Sequence, residues 1–520
     1  MHLTQLLVIV GYFVLLAVVG KIVKKYAAKD SSADFLIAGR NMGLILVTVT
    51  VVGEWLGGMS TIGTSEKAFN SGFFPLWYNV STAVGMFLFG LTIAKVYREN
   101  NVHTVGEMLE KLYSKKVRIV ASLAFVVAFV ILSYLQLQAI GSLVSQLFGD
   151  ILRSFSGLLE GFVGFESLLF SPYSIAIIIS GIFVIFYVYE GGMKSIAFTN
   201  LMHIILLFST IIVVFILVLV RVGGFDGLFS NLNNQFVAEG MTGKEAASKV
   251  ASFKNPFSLG IGKMVAWLLG GILAGFASQA SIQPVFAAKD INTAKRGAML
   301  SAVLIAPLGI LVSILGMAVR SGVVGNLDKL VSAKEAFPFL LMNADFIPGW
   351  LSGLAAAGIL AAILSTVAPV MFAVSTILVK DFYHLIINKN ATDKELLKIS
   401  RIMTITVGVI SIPMAIFIRG GILEAAYITY GIRGAAAIVV LLGIYFGYKK
   451  VEGTWVTPEA AITAIIVSTV GILLFVLNRD AITSLIGFAI SKVYVALVLS
   501  LLSVLIVTPL TKKKQRVKDE

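Results

Sequence analysis

The chain contains no cysteine, only four histidines, and few charged residues, 13% of the total. The first absence excludes disulfides, thiolate metal sites and cysteine nucleophiles. Four scattered histidines form no metal-ligand cluster, and no P-loop pattern or soluble stretch large enough to house a nucleotide accompanies them, so neither an enzyme nor an ATP-driven pump is expected. Acidic residues are also scarce, 27 against 41 basic, which gives a net charge of +14. The basic residues sit in short segments between apolar runs, where they set membrane orientation and imply no nucleic-acid partner. What fills the chain is apolar: 58% hydrophobic residues and a mean hydropathy of +0.95. Such runs, each near the ~20 residues that cross hydrocarbon as a helix, predict an all-α polytopic membrane protein.

About thirteen spans are expected, beginning near residues 3, 42, 73, 117, 170, 194, 258, 294, 349, 397, 422, 456 and 486. Residues 3–20 lack a basic leader and a small-residue cleavage site, so the first run is read as a retained span. Most basic residues fall in the cytoplasmic segments if the N-terminus lies outside, which places the C-terminal tail in the cytoplasm. The organisation follows as 1–41, the first helix and a cytoplasmic loop; 42–222, a five-helix set; 223–257, an extracellular loop; 258–450, a second five-helix set; and 451–520, two further helices with a basic tail. Two polar outside segments, Asn231 to Lys254 and Asn326 to Asn343, are expected as small helical lids.

Five spans per set is an odd number, so the two sets insert with opposite topology, the inverted-repeat plan of many secondary transporters. Each set opens on a glycine cluster, Gly53, Gly57 and Gly58 in the first and Gly270, Gly271 and Gly275 in the second. Glycine costs about 1 kcal/mol relative to alanine in a helix, so each cluster marks either unwinding or very close packing. Glu54 stands inside the first cluster, where a carboxylate contacts solute or ion, or pairs with a buried cation such as Arg433. Trp55 beside it offers a π face to a cationic group, or packs. The span from Ala356 to Asp381 carries adjacent hydroxyls, Ser365 and Thr366. These either bond back to the preceding turn or supply oxygen ligands to a small hard cation.

In order along the chain, Ala38-Gly39-Arg40, Gly191-Gly192-Met193-Lys194, Gln283 with Ala287-Ala288-Lys289-Asp290, Ala361 to Thr366 and Ser375 to Asp381 resemble the sodium:solute symporter family. The resemblance covers Asp34 to about Lys450. It implies a five-plus-five, LeuT-like core and a Na⁺-coupled symporter importing a small polar solute by alternating access, with Na⁺ as coupling ion and no other cofactor. It also implies a Na⁺ site of the Ser365 and Thr366 hydroxyls with backbone carbonyls of Ala362, Thr48 and Val51. The chain departs from the family pattern at Asn200 and His203, where an acid and a glutamine are usual. Trp55-Leu56-Gly57-Gly58 and Gly63 to Glu66 look like the choline transporter branch, and Glu54 with Trp55 suits a cationic or zwitterionic amine such as choline or an amino acid. Gly271, Ala274 and Gln279 are expected around the solute from their position at the second break. H⁺-coupled transport through Glu54 or His203, and a sensor that binds solute without moving it, are the competing expectations.

Overall fold

The structure, a computed structural model, describes residues 3–26, 38–163, 168–189, 193–418, 420–447, 455–486 and 490–519. Gly191, Gly192, Asp34, Lys449 and Lys450, used in the sequence reading, lie outside them. No named strand occurs among the described residues, as a bilayer demands: with no water for unpaired amides, the backbone must bond within each segment.

The first half runs α1 (Leu3–Tyr26), α2 (Leu44–Trp55), a π turn (Met59–Gly63), α3 (Thr64–Ser71), α4 (Leu76–Thr92), α5 (Ala94–Glu99), α6 (Val105–Leu112), α7 (Lys115–Leu147), α8 (Gly149–Val163), α9 (Pro172–Tyr189) and α10 (Met193–Arg221). A hairpin of α11 (Gly224–Ala238) and α12 (Gly243–Lys254) follows. The second half runs α13 (Ile261–Phe276), α14 (Gln279–Phe286), α15 (Ile291–Arg320), α16 (Ala336–Met342), α17 (Gly349–Ile377), α18 (Asp393–Phe417) and α19 (Ile422–Gly447). The chain ends with α20 (Pro458–Leu477), α21 (Arg479–Ile486) and α22 (Lys492–Asp519).

Among the described residues nine helices are long and apolar enough to cross a membrane, and the bent pair formed by α2 and the helix resuming at Met59 makes a tenth. The remaining expected spans correspond to shorter apolar helices, Leu3–Leu16, Leu76–Thr92 and Pro172–Val188. Helix starts are set by local chemistry. Thr104 accepts from the Glu107 amide, Asp290 from Thr293, and Thr242 with Glu245 forms a reciprocal capping box at α12. The segments expected as small helices are helical, as the α11–α12 hairpin and as two short turns with α16. The amphipathic α8 was not expected.

The first glycine cluster is a break: α2 stops at Trp55 and the chain resumes at Met59, bent by 55°. The second is not. α13 runs unbroken through Gly270 to Gly275, and the interruption falls at Ala277 and Ser278, which leave helical geometry. The reason is packing: a Cβ on Gly271 would lie 2.1 Å from the Ser81 hydroxyl of α4. These glycines bring two helices together, and the break follows them. The outer ends of the two interrupted helices are joined elsewhere, since Met42 before α2 and Ala288 after α14 form an isolated parallel bridge.

At the centre lies α17, buried along its apolar length against α1, α2, α7, α10 and α18, whereas α10, α18 and α22 turn much of their surface outward.

Candidate functional site

Because α2 ends at Trp55, the Gly53 carbonyl in its last turn is turned to the neighbouring helix. The Gly53 carbonyl accepts from Thr366 Oγ1 at 2.6 Å and from Ser365 Oγ at 3.2 Å. Both hydroxyls also reach the Ala362 carbonyl, at 3.3 and 2.7 Å. Two hydroxyls and two carbonyls from crossing helices thus meet in one buried spot, all of them hard oxygens. That donor set suits a small cation such as Na⁺ and offers nothing soft. Asn200 of α10 closes the third side, its Nδ2 donating to the Ser365 carbonyl at 3.4 Å. The approach is tight: a Cβ on Gly53 would lie 2.4 Å from Asn200 Nδ2, and one on Gly57 2.2 Å from Thr366 Oγ1. At the break itself the Gly58 amide donates to Gln136 Oε1 of α7 at 2.8 Å, and Ser60 Oγ donates to the Trp55 carbonyl at 2.6 Å.

Glu54 projects from the last turn of α2 towards the other interruption. Its Oε1 accepts from Ser278 Oγ at 3.2 Å and lies 3.6 Å from Arg433 Nη1 of α19. Arg433 Nη1 in turn donates to Ser278 Oγ at 2.8 Å. The carboxylate and guanidinium are fully enclosed, yet they meet at a distance longer than a hydrogen bond, bridged by one serine. Glu54 Oε2, Trp55 Nε1 and Gln136 Nε2 have no hydrogen-bond partner among the described residues. Buried polar atoms left open this way are uncommon, and here three cluster around one break. The π face of Trp55 is taken by Arg433, 5.5 Å from the ring centroid, with Tyr430 at 4.8 Å and Phe129 at 5.5 Å around the same guanidinium. Trp55 therefore faces a protein cation.

Of the residues expected at the cation, Ala362, Ser365 and Thr366 come together, and the α2 carbonyl that meets them is that of Gly53. Val51 and Thr48 lie further back along α2, both buried, the Thr48 hydroxyl without a hydrogen-bond partner. Of those expected at the solute, Glu54 and Trp55 sit together at the first break. Gly271 lies against α4, Ala274 is buried one turn before the second interruption, and Gln279 faces elsewhere. Gln279 Oε1 accepts from the Val105 amide at 2.8 Å and its Nε2 donates to the His103 carbonyl at 2.9 Å, so its amide holds the start of α6. His203 is bracketed by phenols, Tyr12 on Nδ1 at 2.5 Å and Tyr187 on Nε2 at 3.0 Å, and joins α1, α9 and α10. Gly53, Gln136, Ser278 and Tyr430 were missed by sequence reasoning. Only Gly53 carried a signal there, as part of a glycine cluster.

Comparison with known proteins places this geometry. The family model for the sodium:solute symporter family matches residues 35–457. The sodium/glucose cotransporter of Vibrio parahaemolyticus is 22% identical over 461 residues, 84% of this chain and 79% of that protein. The sodium/proline symporter of Escherichia coli is 23% identical over 433 residues, 81% and 79% of the two chains. Among solved structures, a Na⁺-coupled sialic acid symporter in a substrate-bound outward-open state superposes with a TM-score of 0.72 at 18% identity, covering 98% of both chains. A nucleobase-cation-symport-1 family transporter in a closed conformation gives 0.52 at 12% identity, over 92% and 95% of the two chains. The fold is thus the LeuT-like inverted repeat. With the family model matched across both interrupted helices and the hydroxyl pair of α17, the chain belongs to the sodium:solute symporter family and is a Na⁺-coupled solute symporter.

Proposed function

We propose that this symporter imports a small zwitterionic solute, an amino acid or close analogue, with Na⁺ held by Ser365, Thr366 and the Ala362 carbonyl against carbonyls of α2. The observation that carries the solute assignment is the enclosed Glu54–Arg433 couple, 3.6 Å apart and bridged through Ser278. A zwitterion brings a carboxylate for the guanidinium fork and an ammonium for Glu54 Oε2, so each buried charge gains a partner and none is stranded. A purely cationic solute would compete with Arg433 for both Glu54 and the Trp55 face. A sugar carries no charge to match either member of the couple. Sodium/proline symporters among the relatives carry a solute of this class in their names.

In this reading the five-helix repeats are 42–222 and 258–450, the N-terminus lies outside, and the α11–α12 hairpin is on the outer face. The ion orders the last turn of α2 by drawing its carbonyls towards α17, and that turn also carries Glu54. Ion and solute sites are therefore coupled through one helix end. Each Na⁺ moved inward contributes about 2.3 kcal/mol per 100 mV of membrane potential.

The test is uptake into proteoliposomes of labelled L-proline, a mixed set of L-amino acids, choline, acetate and glucose, with and without an inward Na⁺ gradient. Accumulation of an amino acid that requires the gradient is expected. Accumulation of choline or glucose alone would overturn the zwitterion assignment.

A further inference from the structure

A second charged cluster lies on the face that carries the α11–α12 hairpin. Glu424, in the first turn of α19, has Lys67 of α3 at 3.1 Å and Lys263 of α13 at 2.9 Å on one carboxylate oxygen, with Lys492 of α22 4.0 Å from the other. Lys492 also donates to the Glu424 carbonyl. Glu66, the neighbouring acid, is committed to the Ile422 amide at 3.1 Å. Three ammonium groups thus share one carboxylate, half-buried and reachable from solvent.

Below it a column of rings descends to the central arginine. Glu424, Tyr427, Tyr430 and Arg433 follow at three-residue steps along α19, which makes each the neighbour of the next as the row winds round the helix. Lys263 lies 5.8 Å over Trp267, whose ring stacks on Tyr427 at 4.4 Å; Tyr427 meets Tyr430 at 5.0 Å, and Tyr430 lies beneath Arg433. A cationic cluster at the surface and a cationic residue at the bottom are joined by π faces.

We propose that Lys67, Lys263 and Lys492 form an outer docking site for the carboxylate of the solute, and that Glu424 is its tethered occupant, displaced when solute arrives. The inference rests on the reading of Arg433 as the carboxylate-binding group. The three lysine–carboxylate pairs are partly exposed and so individually weak, which lets a free carboxylate compete with Glu424 for the ammonium groups. Exchange removes the Glu424 ion pairs that tie α19 to α3 and α13 at the head of the aromatic column.

The full chain in lipid nanodiscs, titrated with carbon-labelled acetate and followed by NMR, tests this. Glu424→Gln removes the internal competitor and is expected to bind acetate about tenfold tighter than the unmodified chain, with Glu424→Asp between them. Adding Lys67→Gln and Lys263→Gln to E424Q is expected to abolish that gain. E424D, which keeps the charge, preserves the ordering should E424Q fail to fold. Equal acetate affinity in all forms overturns the docking site. An inorganic anion would use the same ammonium groups, so chloride is the second ligand, and chloride binding as tight as acetate overturns the solute assignment. Choline uptake alone in the panel above means the central reading has failed; an amino acid in the panel with unchanged acetate binding means only the docking site has.

Discussion

At the scale of single residues, the account turns on oxygen atoms that no pattern in the sequence could place. Ser365 and Thr366 were visible as a hydroxyl pair in an apolar span, and the structure adds that both reach the Gly53 carbonyl of another helix. Which carbonyl faces them depends on where α2 ends and on the non-helical Leu56 beyond it, a phase that residue spacing does not encode. Ser365→Ala with Thr366→Ala removes two charged-group contacts of about 1.5 kcal/mol each and is expected to raise the Na⁺ concentration for half-maximal uptake about 100-fold. Gly57→Ala drives a methyl into Thr366 Oγ1 and is expected to cost about 1–3 kcal/mol, read as a lowered unfolding midpoint together with weakened Na⁺ dependence. Arg433→Lys keeps the charge beside Glu54 but loses the planar fork, so KM for the amino acid should rise about tenfold or more while the protein stays folded. Loss of all solute selectivity without a change in KM would contradict that role.

At the scale of elements, the spans were legible because hydrocarbon imposes length and apolarity, and their odd number per set disclosed the inverted repeat. The second break was misplaced by a few residues because glycine marks both close approach and unwinding, and only the Ser81 contact distinguishes the two at Gly271. The polar Gln279 read as a solute contact because nothing in the sequence shows that α6 lies beside it. That short helix belongs to an ion cluster equally hidden from the sequence. Asp381, in the π-helical turn Leu378–Ile387 after α17, is fully buried and accepts from Arg118, Ser122 and Thr104, while Arg118 also holds Glu107 and Glu110. Asp381→Asn removes one partner of a buried pair and is expected to destabilise the chain by about 3 kcal/mol, measured as a fall in the thermal midpoint in detergent. Burial opposes ionisation of Glu107, but hydrogen bonds and charge from His103, with Arg118 beyond, outweigh it and hold the group at about 2. Its folded value is depressed, so its contribution is fully present above its ordinary value of 4.5 and is lost as pH falls towards 2. The stability difference between the unmodified chain and Glu107→Gln should therefore shrink as pH falls below about 4.5.

At the scale of the whole molecule, two interrupted helices of opposite-facing repeats bring Glu54 and Ser278 to one point, while α17 and α19 supply the hydroxyls and the arginine. In the proposed function ion and solute take neighbouring positions because both depend on the last turn of α2, and that shared turn is the route by which a Na⁺ gradient would be transmitted to the solute. Sequence composition identified a membrane transporter, and family motifs identified its coupling ion. The proposed solute chemistry rests on Arg433, a pairing candidate for Glu54 in the sequence, which the structure sets beside Glu54 and over Trp55. The most direct measurement is amino-acid-triggered entry of radiolabelled Na⁺ into proteoliposomes, compared between the unmodified chain and Ser365→Ala/Thr366→Ala. The account predicts Na⁺ entry that requires the amino acid in the first and is lost in the second. Na⁺ entry of equal rate and equal Na⁺ dependence in both would contradict it.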